Sequence, residues 1–188
     1  MGIIVIGSTR GSSLDGIVKC DLKDYISMII SDKETAPILQ KARKLGIKSY
    51  YQDATGLSRQ DYDEKMMLVI KDENPDLILL VGYMRIISKQ FVEEFKGKIL
   101  NIHPSLLPKH SGLMDLDVHN AVLKSGDKKS GCTIHYVTEQ VDAGGIVVQL
   151  ECDVEENDTA QTLKEKVQDL EKKAWVAVVK QYYTEGKI

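Results

Sequence analysis

Cysteine is scarce in this 188-residue chain. Cys20, Cys132 and Cys152 are odd in number, far apart and part of no CxxC pair. That excludes a disulfide framework and a thiolate zinc site, and it fits a reducing compartment. Strong charge of either sign is missing too. Lys and Arg total 25 against 28 Asp and Glu, a net charge of −3, and no basic run is present that would coat a nucleic acid. Aromatic residues are only 6% of the chain, with one Trp, so Trp175 and the Tyr182–Tyr183 pair read as packing residues rather than a base-stacking surface. No apolar stretch approaches the length of a membrane span, and Met1-Gly-Ile-Ile-Val-Ile-Gly7 lacks the basic leader and cleavage site of a signal peptide. The chain reads as cytoplasmic, with neither membrane nor nucleic acid as partner.

Several motifs are absent as well. There is no Gly-Lys-Ser/Thr phosphate loop, and Thr9 occupies the middle-glycine place of a GxGxxG, which argues against a nicotinamide oxidoreductase. No GxSxG elbow supports a serine nucleophile. His110, His119 and His135 match no ligand spacing, so no metal is expected.

What is present is an alternation. Short apolar runs at 2–6, 25–30, 48–51 and 76–81 are separated by segments at 35–45 and 58–71 whose apolar residues recur at helical spacing. Continuous apolar strands between helices are the mark of βαβ units and a parallel sheet buried on both faces. Further strands are expected at 98–102, 131–138 and 145–154. A long helix is expected from its cap Thr159 to about Tyr182, with Gly186 near its stop. The length suits one hydrophobic core. The expected fold is α/β, a single Rossmann-like domain over 1–188 with a mostly parallel twisted sheet flanked by helices.

Four segments could carry chemistry. Gly7-Ser-Thr-Arg-Gly11-Ser-Ser13 follows the first strand and opens a helix, a place where backbone N–H groups can face an anion. Asn101-Ile-His-Pro-Ser-Leu-Leu-Pro108 ends a strand. Residues two apart share a face, so the Asn101 amide and the His103 imidazole can serve one developing oxyanion. Asp142, in the turn Val141-Asp-Ala-Gly-Gly145, can orient that histidine or simply shape the turn. Gly82-Tyr-Met-Arg-Ile-Ile-Ser88 is an apolar loop with one Arg.

In this order the segments resemble the glycinamide ribonucleotide formyltransferases, the folate-dependent enzymes of purine biosynthesis. The resemblance runs from Ile3 to about Tyr183. Its most specific stretches are Pro75-Asp-Leu-Ile-Leu-Leu-Val-Gly-Tyr-Met-Arg-Ile-Ile-Ser88, Leu100-Asn-Ile-His-Pro-Ser-Leu-Leu-Pro-Lys109 and Val137-Thr-Glu-Gln-Val-Asp-Ala-Gly144. It implies transfer of a formyl group from 10-formyltetrahydrofolate, as co-substrate, to the amine of the ribonucleotide. It implies a catalytic trio of Asn101, His103 and Asp142, in which Asp142 raises the His103 pKa by favouring its charged form. Backbone amides at Gly11, Ser12 and Ser13 would hold the phosphate, with Glu171 and Gln168 at the ribose. Folate would meet Leu80, Tyr83, Met84, Arg85, Ile86, Ile87, Val92 and Val137, with Arg59 toward its glutamate tail. The partners are then small molecules, and a homodimer is the assembly left open.

The chain departs from the family's usual pattern at Ser13, in place of Asn, and at Lys172, in place of a frequent His. The loop from Lys109 to His119 is longer, and the chain stops sooner after the last helix. Two readings stay open beside transfer. One is a formyl-folate hydrolase, which releases formate without an amine; the other is a folate-binding protein without catalysis, against which the complete trio argues. The N-terminal regulatory domain of deformylases and the C-terminal RNA-binding domain of methionyl-tRNA formyltransferases are not expected here.

Overall fold

The computed structural model describes residues 2–185, so Gly186 lies outside the described residues. In chain order the elements are β1 (Ile3–Ile6), α1 (Leu14–Lys19), β2 (Ile26–Ser31), α2 (Pro37–Lys44), β3 (Lys48–Tyr51), α3 (Arg59–Glu73) and β4 (Leu77–Leu80). They continue with α4 (Lys89–Glu94), β5 (Ile99–His103), α5 (Leu116–Lys124), β6 (Lys129–Tyr136), β7 (Ile146–Asp153) and α6 (Ala160–Lys180). The sheet order is β3-β2-β1-β4-β5-β6-β7. The chain forms two compact units, Met1–Gly11 with Lys23–Asn101, and Ser12–Leu22 with Ile102–Ile188.

The first unit is built on parallel strands. All four residues of β1 are buried, and such a strand is stable only with cover on both faces of its sheet. It pairs in parallel with β2 and β4, Ile4 standing opposite Met28 on one side and Ile78 on the other. The less apolar Lys48-Ser-Tyr-Tyr51 of β3 is partly exposed, as the last strand in the sheet order can be. Ser58 caps α3 by accepting from the Asp61 N–H, and Asn74 ends the helix in the left-handed region.

In the second unit β6 and β7 pair antiparallel, from Lys129 opposite Asp153 to His135 opposite Ile146. The 21-residue helix α6 starts at a capping box of Thr159 and Thr162. Leu163, Val167, Ala174, Trp175, Val178 and Val179 form its buried stripe, so Trp175 is a core residue as its sequence context suggested. A Cβ on Gly16 would lie 2.4 Å from the Lys172 carbonyl oxygen. Only a bare Cα lets α1 and α6 approach this closely.

The α/β class, the mostly parallel sheet and every expected strand are borne out, with boundaries shifted by one or two residues. Two helices were not foreseen. In α4, Ser88 is the cap and Phe91 and Val92 are buried, but six residues are too short to show a period. The start of α5 falls in a stretch read as loop, and its buried face is only Val118, His119 and Val122.

Candidate active site

The site grows from the end of β5. Asn101 is partly buried and His103 is 4% exposed. After them the chain turns under control of β6: the Thr133 hydroxyl donates to the Ser105 carbonyl and accepts from the Leu107 N–H, at 2.6 and 3.1 Å. A threonine buried in this way uses both roles of its hydroxyl, so the turn is fixed by the strand beside it.

Asp142 stands in the β6–β7 turn with φ at +53°, a left-handed conformation that Asp tolerates better than most residues. Gly144 follows because a Cβ there would lie 1.8 Å from the Tyr136 carbonyl oxygen. This turn carries the Asp142 carboxylate to His103, with Oδ2 3.3 Å from Nδ1. The same oxygen accepts from the Gly112 N–H at 2.8 Å. The other oxygen lies 3.5 Å from His135 Nε2, and Nδ1 of His135 is 2.9 Å from the Tyr136 carbonyl oxygen. His103 Nε2 is 3.0 Å from the carbonyl oxygen of His110.

One carboxylate therefore sits between two buried imidazoles. Burial opposes its ionisation, but His135, the Gly112 N–H and His103 together hold Asp142 below the usual carboxylate range. His103 departs from expectation. Asp142 does favour its charged form, but burial outweighs that and leaves the imidazole below the usual histidine range. Burial thus favours the neutral imidazole, the form that can take a proton. His135 was missed by sequence reasoning, which tested it only as a metal ligand. Its signal is positional: it lies near the end of the strand whose following turn carries Asp142.

A second cluster lies on α5 and α6. His119 is 2% exposed and its Nδ1 has no hydrogen-bond partner among the described residues. Burial, reinforced by the Lys164 charge, drives its pKa down to about 4. Lys164 pairs with Asp115 at 2.5 Å, and its charge also acts on Glu171, whose carboxyl burial pushes up to about 7. Gln168 lies on the same helix one turn before Glu171, and both are partly buried. The charge of Glu171 reaches the buried thiol of Cys132 on β6, which burial pushes up to about 12. Lys172, where a His was the commoner residue, pairs with Asp169 at 2.6 Å.

The loop before α1 has the backbone the sequence suggested. Gly11 adopts φ +58°, and a Cβ there would lie 2.6 Å from Ile38 Cδ1. The N–H groups of Gly11, Ser12 and Ser13 donate to no group among the described residues. The Ser13 side chain makes no cap hydrogen bond. Ser13→Ala should accordingly leave a phosphate ligand's affinity nearly unchanged, whereas Gly11→Val should lower the melting temperature by forcing a branched side chain into the left-handed region. Calorimetry and thermal melts of both variants check this, and a normal melt for Gly11→Val would show the loop to be more plastic than its geometry.

In the first unit Leu80, Tyr83 and Val92 are buried, Arg85 and Ile87 partly so, and Met84 and Ile86 exposed. Arg59 is exposed at the first turn of α3. In the second unit Val137 is partly buried just after β6. Among the described residues no cluster of His, Cys, Asp or Glu could hold a metal ion, and no helix is long and apolar enough to cross a membrane.

A buried histidine–carboxylate pair that can take up one proton, on a mostly parallel α/β sheet, defines a protein equipped for acid–base chemistry. The Formyl transferase family model matches residues 1–179, and the chain belongs to that family. It is 33% identical over its whole length to phosphoribosylglycinamide formyltransferase of Escherichia coli (strain K12), covering 89% of that protein. It is 37% identical over 94% of its length to the trifunctional purine biosynthetic protein adenosine-3 of Gallus gallus, and spans only 18% of that longer chain. A crystal structure of glycinamide ribonucleotide transformylase 1 from Symbiobacterium toebii superposes with a TM-score of 0.91 at 32% identity, covering 99% of this chain and 88% of that one.

Proposed function

We propose that the chain transfers the formyl group of 10-formyltetrahydrofolate to the amine of glycinamide ribonucleotide, as one catalytic domain over residues 1–188. The observation that carries this reading is the placement of a buried His103 against the Asp142 carboxylate. Attack of the amine nitrogen on the formyl carbon makes a tetrahedral adduct, and negative charge develops on the formyl oxygen. The Asn101 amide donates to that oxygen. His103 takes the proton that the attacking nitrogen sheds, and the imidazolium so formed is stabilised by Asp142 and adds to the charge facing the oxyanion. The adduct then collapses: the bond from the formyl carbon to the folate nitrogen breaks, and His103 returns its proton to that leaving nitrogen. Asn101, His103 and Asp142 act on the reacting atoms. The amides of Gly11, Ser12 and Ser13 bind phosphate, and Gln168 and Glu171 bind ribose. The folate contacts are Arg59, Leu80, Tyr83, Met84, Arg85, Ile86, Ile87, Val92 and Val137.

The test is spectrophotometric turnover of 10-formyltetrahydrofolate with and without glycinamide ribonucleotide. Turnover that requires the ribonucleotide is the expected result. Formate release at the same rate without any amine would replace transfer by hydrolysis, and folate binding without turnover would leave a binding protein.

A further inference from the structure

Arg85 has an unusual setting in the first unit. Its guanidinium carbon lies 4.4 Å from the centroid of the Tyr62 ring, and the side chain makes no hydrogen bond or ion pair with any described residue. One face of the guanidinium is thus seated on an aromatic ring and the charge of Asp63 acts on it, while its N–H edge is hydrogen-bonded to no described residue. A partly buried arginine with an empty edge suits a planar anion, because its fork matches a carboxylate bidentately.

Tyr62 is built to stay in place. It is fully buried on α3, and burial pushes its phenol up to about 12, so the ring is neutral at physiological pH. The next residue, Asp63, accepts from the Ser88 N–H at 2.5 Å and ties α3 to the segment that carries Arg85. The Tyr62 hydroxyl is turned toward Tyr83, so it is the ring face that is left for the Arg85 guanidinium.

We infer that Tyr62 is a positioning residue for Arg85, its ring holding the guanidinium flat so that the free edge receives a carboxylate on the co-substrate's tail. This rests on the reading that the co-substrate is a folate, whose glutamate tail supplies that carboxylate. A cation seated on a partly desolvated ring is attracted by the ring's negative face. Fluorination of the ring removes that negative face while keeping its shape.

The experiment compares Tyr62→Phe with chains carrying mono-, di- and trifluorinated phenylalanine at position 62, which all keep the buried volume. KM and kcat are measured for 10-formyltetrahydrofolate and for the analogue that lacks the glutamate. Tyr62→Phe is the baseline of the series, since it removes the hydroxyl that faces Tyr83 and keeps the ring under Arg85. Stepwise fluorination should raise KM for the tailed substrate, by about threefold to thirtyfold at three fluorines. Its kcat should hold, and so should KM for the tail-less analogue. A flat series, or an equal rise for both substrates, overturns the positioning role. Arg85→Met separates this from the underlying reading. If it raises KM only for the tailed substrate while the fluorine series is flat, Arg85 binds the tail and Tyr62 does not position it. If Arg85→Met changes neither KM, the tail is bound elsewhere and the inference falls with that assignment.

Discussion

His103→Ala is expected to lower kcat by about a hundredfold to ten-thousandfold, the usual loss on removing a positioned acid–base group. The side chain is buried, so its removal leaves a cavity, and thermal melts must show a folded variant before the kinetics are read. Asp142 calls for a different substitution. At φ +53° alanine would be strained where asparagine is not, so Asp142→Asn isolates the charge from the turn. It should lose activity to a similar degree, and what remains should carry an altered pH profile. Burial already holds the His103 pKa below its ordinary value near 6.5, so kcat/KM should fall in acid only below that value, as the neutral imidazole is lost. Removing the carboxylate removes the influence that favours imidazolium, so the acid limb should move to still lower pH. Near-normal turnover by either variant, or an acid limb that moves upward in Asp142→Asn, would refute the assignment.

Glu171→Ala should weaken ribonucleotide binding by about 1.5–3 kcal/mol, roughly tenfold to a hundredfold, as for hydrogen bonds to a charged group. Folate affinity should hold. The carboxyl makes no hydrogen bond or ion pair among the described residues, and burial pushes its pKa up to about 7. A carboxylate in that condition is costly unless a ligand supplies donors, as two ribose hydroxyls would. The sign of the pH dependence follows. Bound hydroxyls favour the ionised form, so ribonucleotide affinity should increase as pH rises through about 7 and Glu171 loses its proton. Calorimetric titration of both proteins with each substrate, at pH 6 and pH 8, measures these effects. Unchanged ribonucleotide affinity in the variant would remove Glu171 from the site.

How much of this was legible in the sequence depended on how local the signal was. The apolar runs of β1 and β4 could be read because a strand buried on both faces needs no partner sequence to reveal it. Asn101 and His103 could be read as a pair because two residues on one strand share a side whatever surrounds them. Asp142 stayed ambiguous between turn residue and histidine partner, since 39 positions of sequence separate it from His103 and only the pairing of β6 with β7 closes that distance. His135 was missed although only seven positions separate it from Asp142, because no period shows that the turn folds the carboxylate back beside it. The effect of Asp142 on His103 is as read, but the net shift was not legible, because a sequence names a charged neighbour and not the burial around it, and here burial prevails. The Tyr62–Arg85 contact joins a helix to a loop 23 residues later, and no periodicity encodes such a contact.

The close approach of α1 and α6 at Gly16 has a consequence for which ligands fit. Ser12 and Ser13 immediately precede α1, while Gln168 and Glu171 come just before Lys172, the residue of α6 that meets Gly16. With two backbones in direct apposition, no side chain between them can flex to alter their separation. If these groups bind the ribonucleotide as proposed, the close approach at Gly16 sets the span between the N–H groups before α1 and the carboxylate on α6, and that span would gauge the stretch from a 5′-phosphate to its sugar hydroxyls. A homologue with one more methylene in that stretch would satisfy one end or the other but not both, and so selection by length would be written into a glycine that touches neither end.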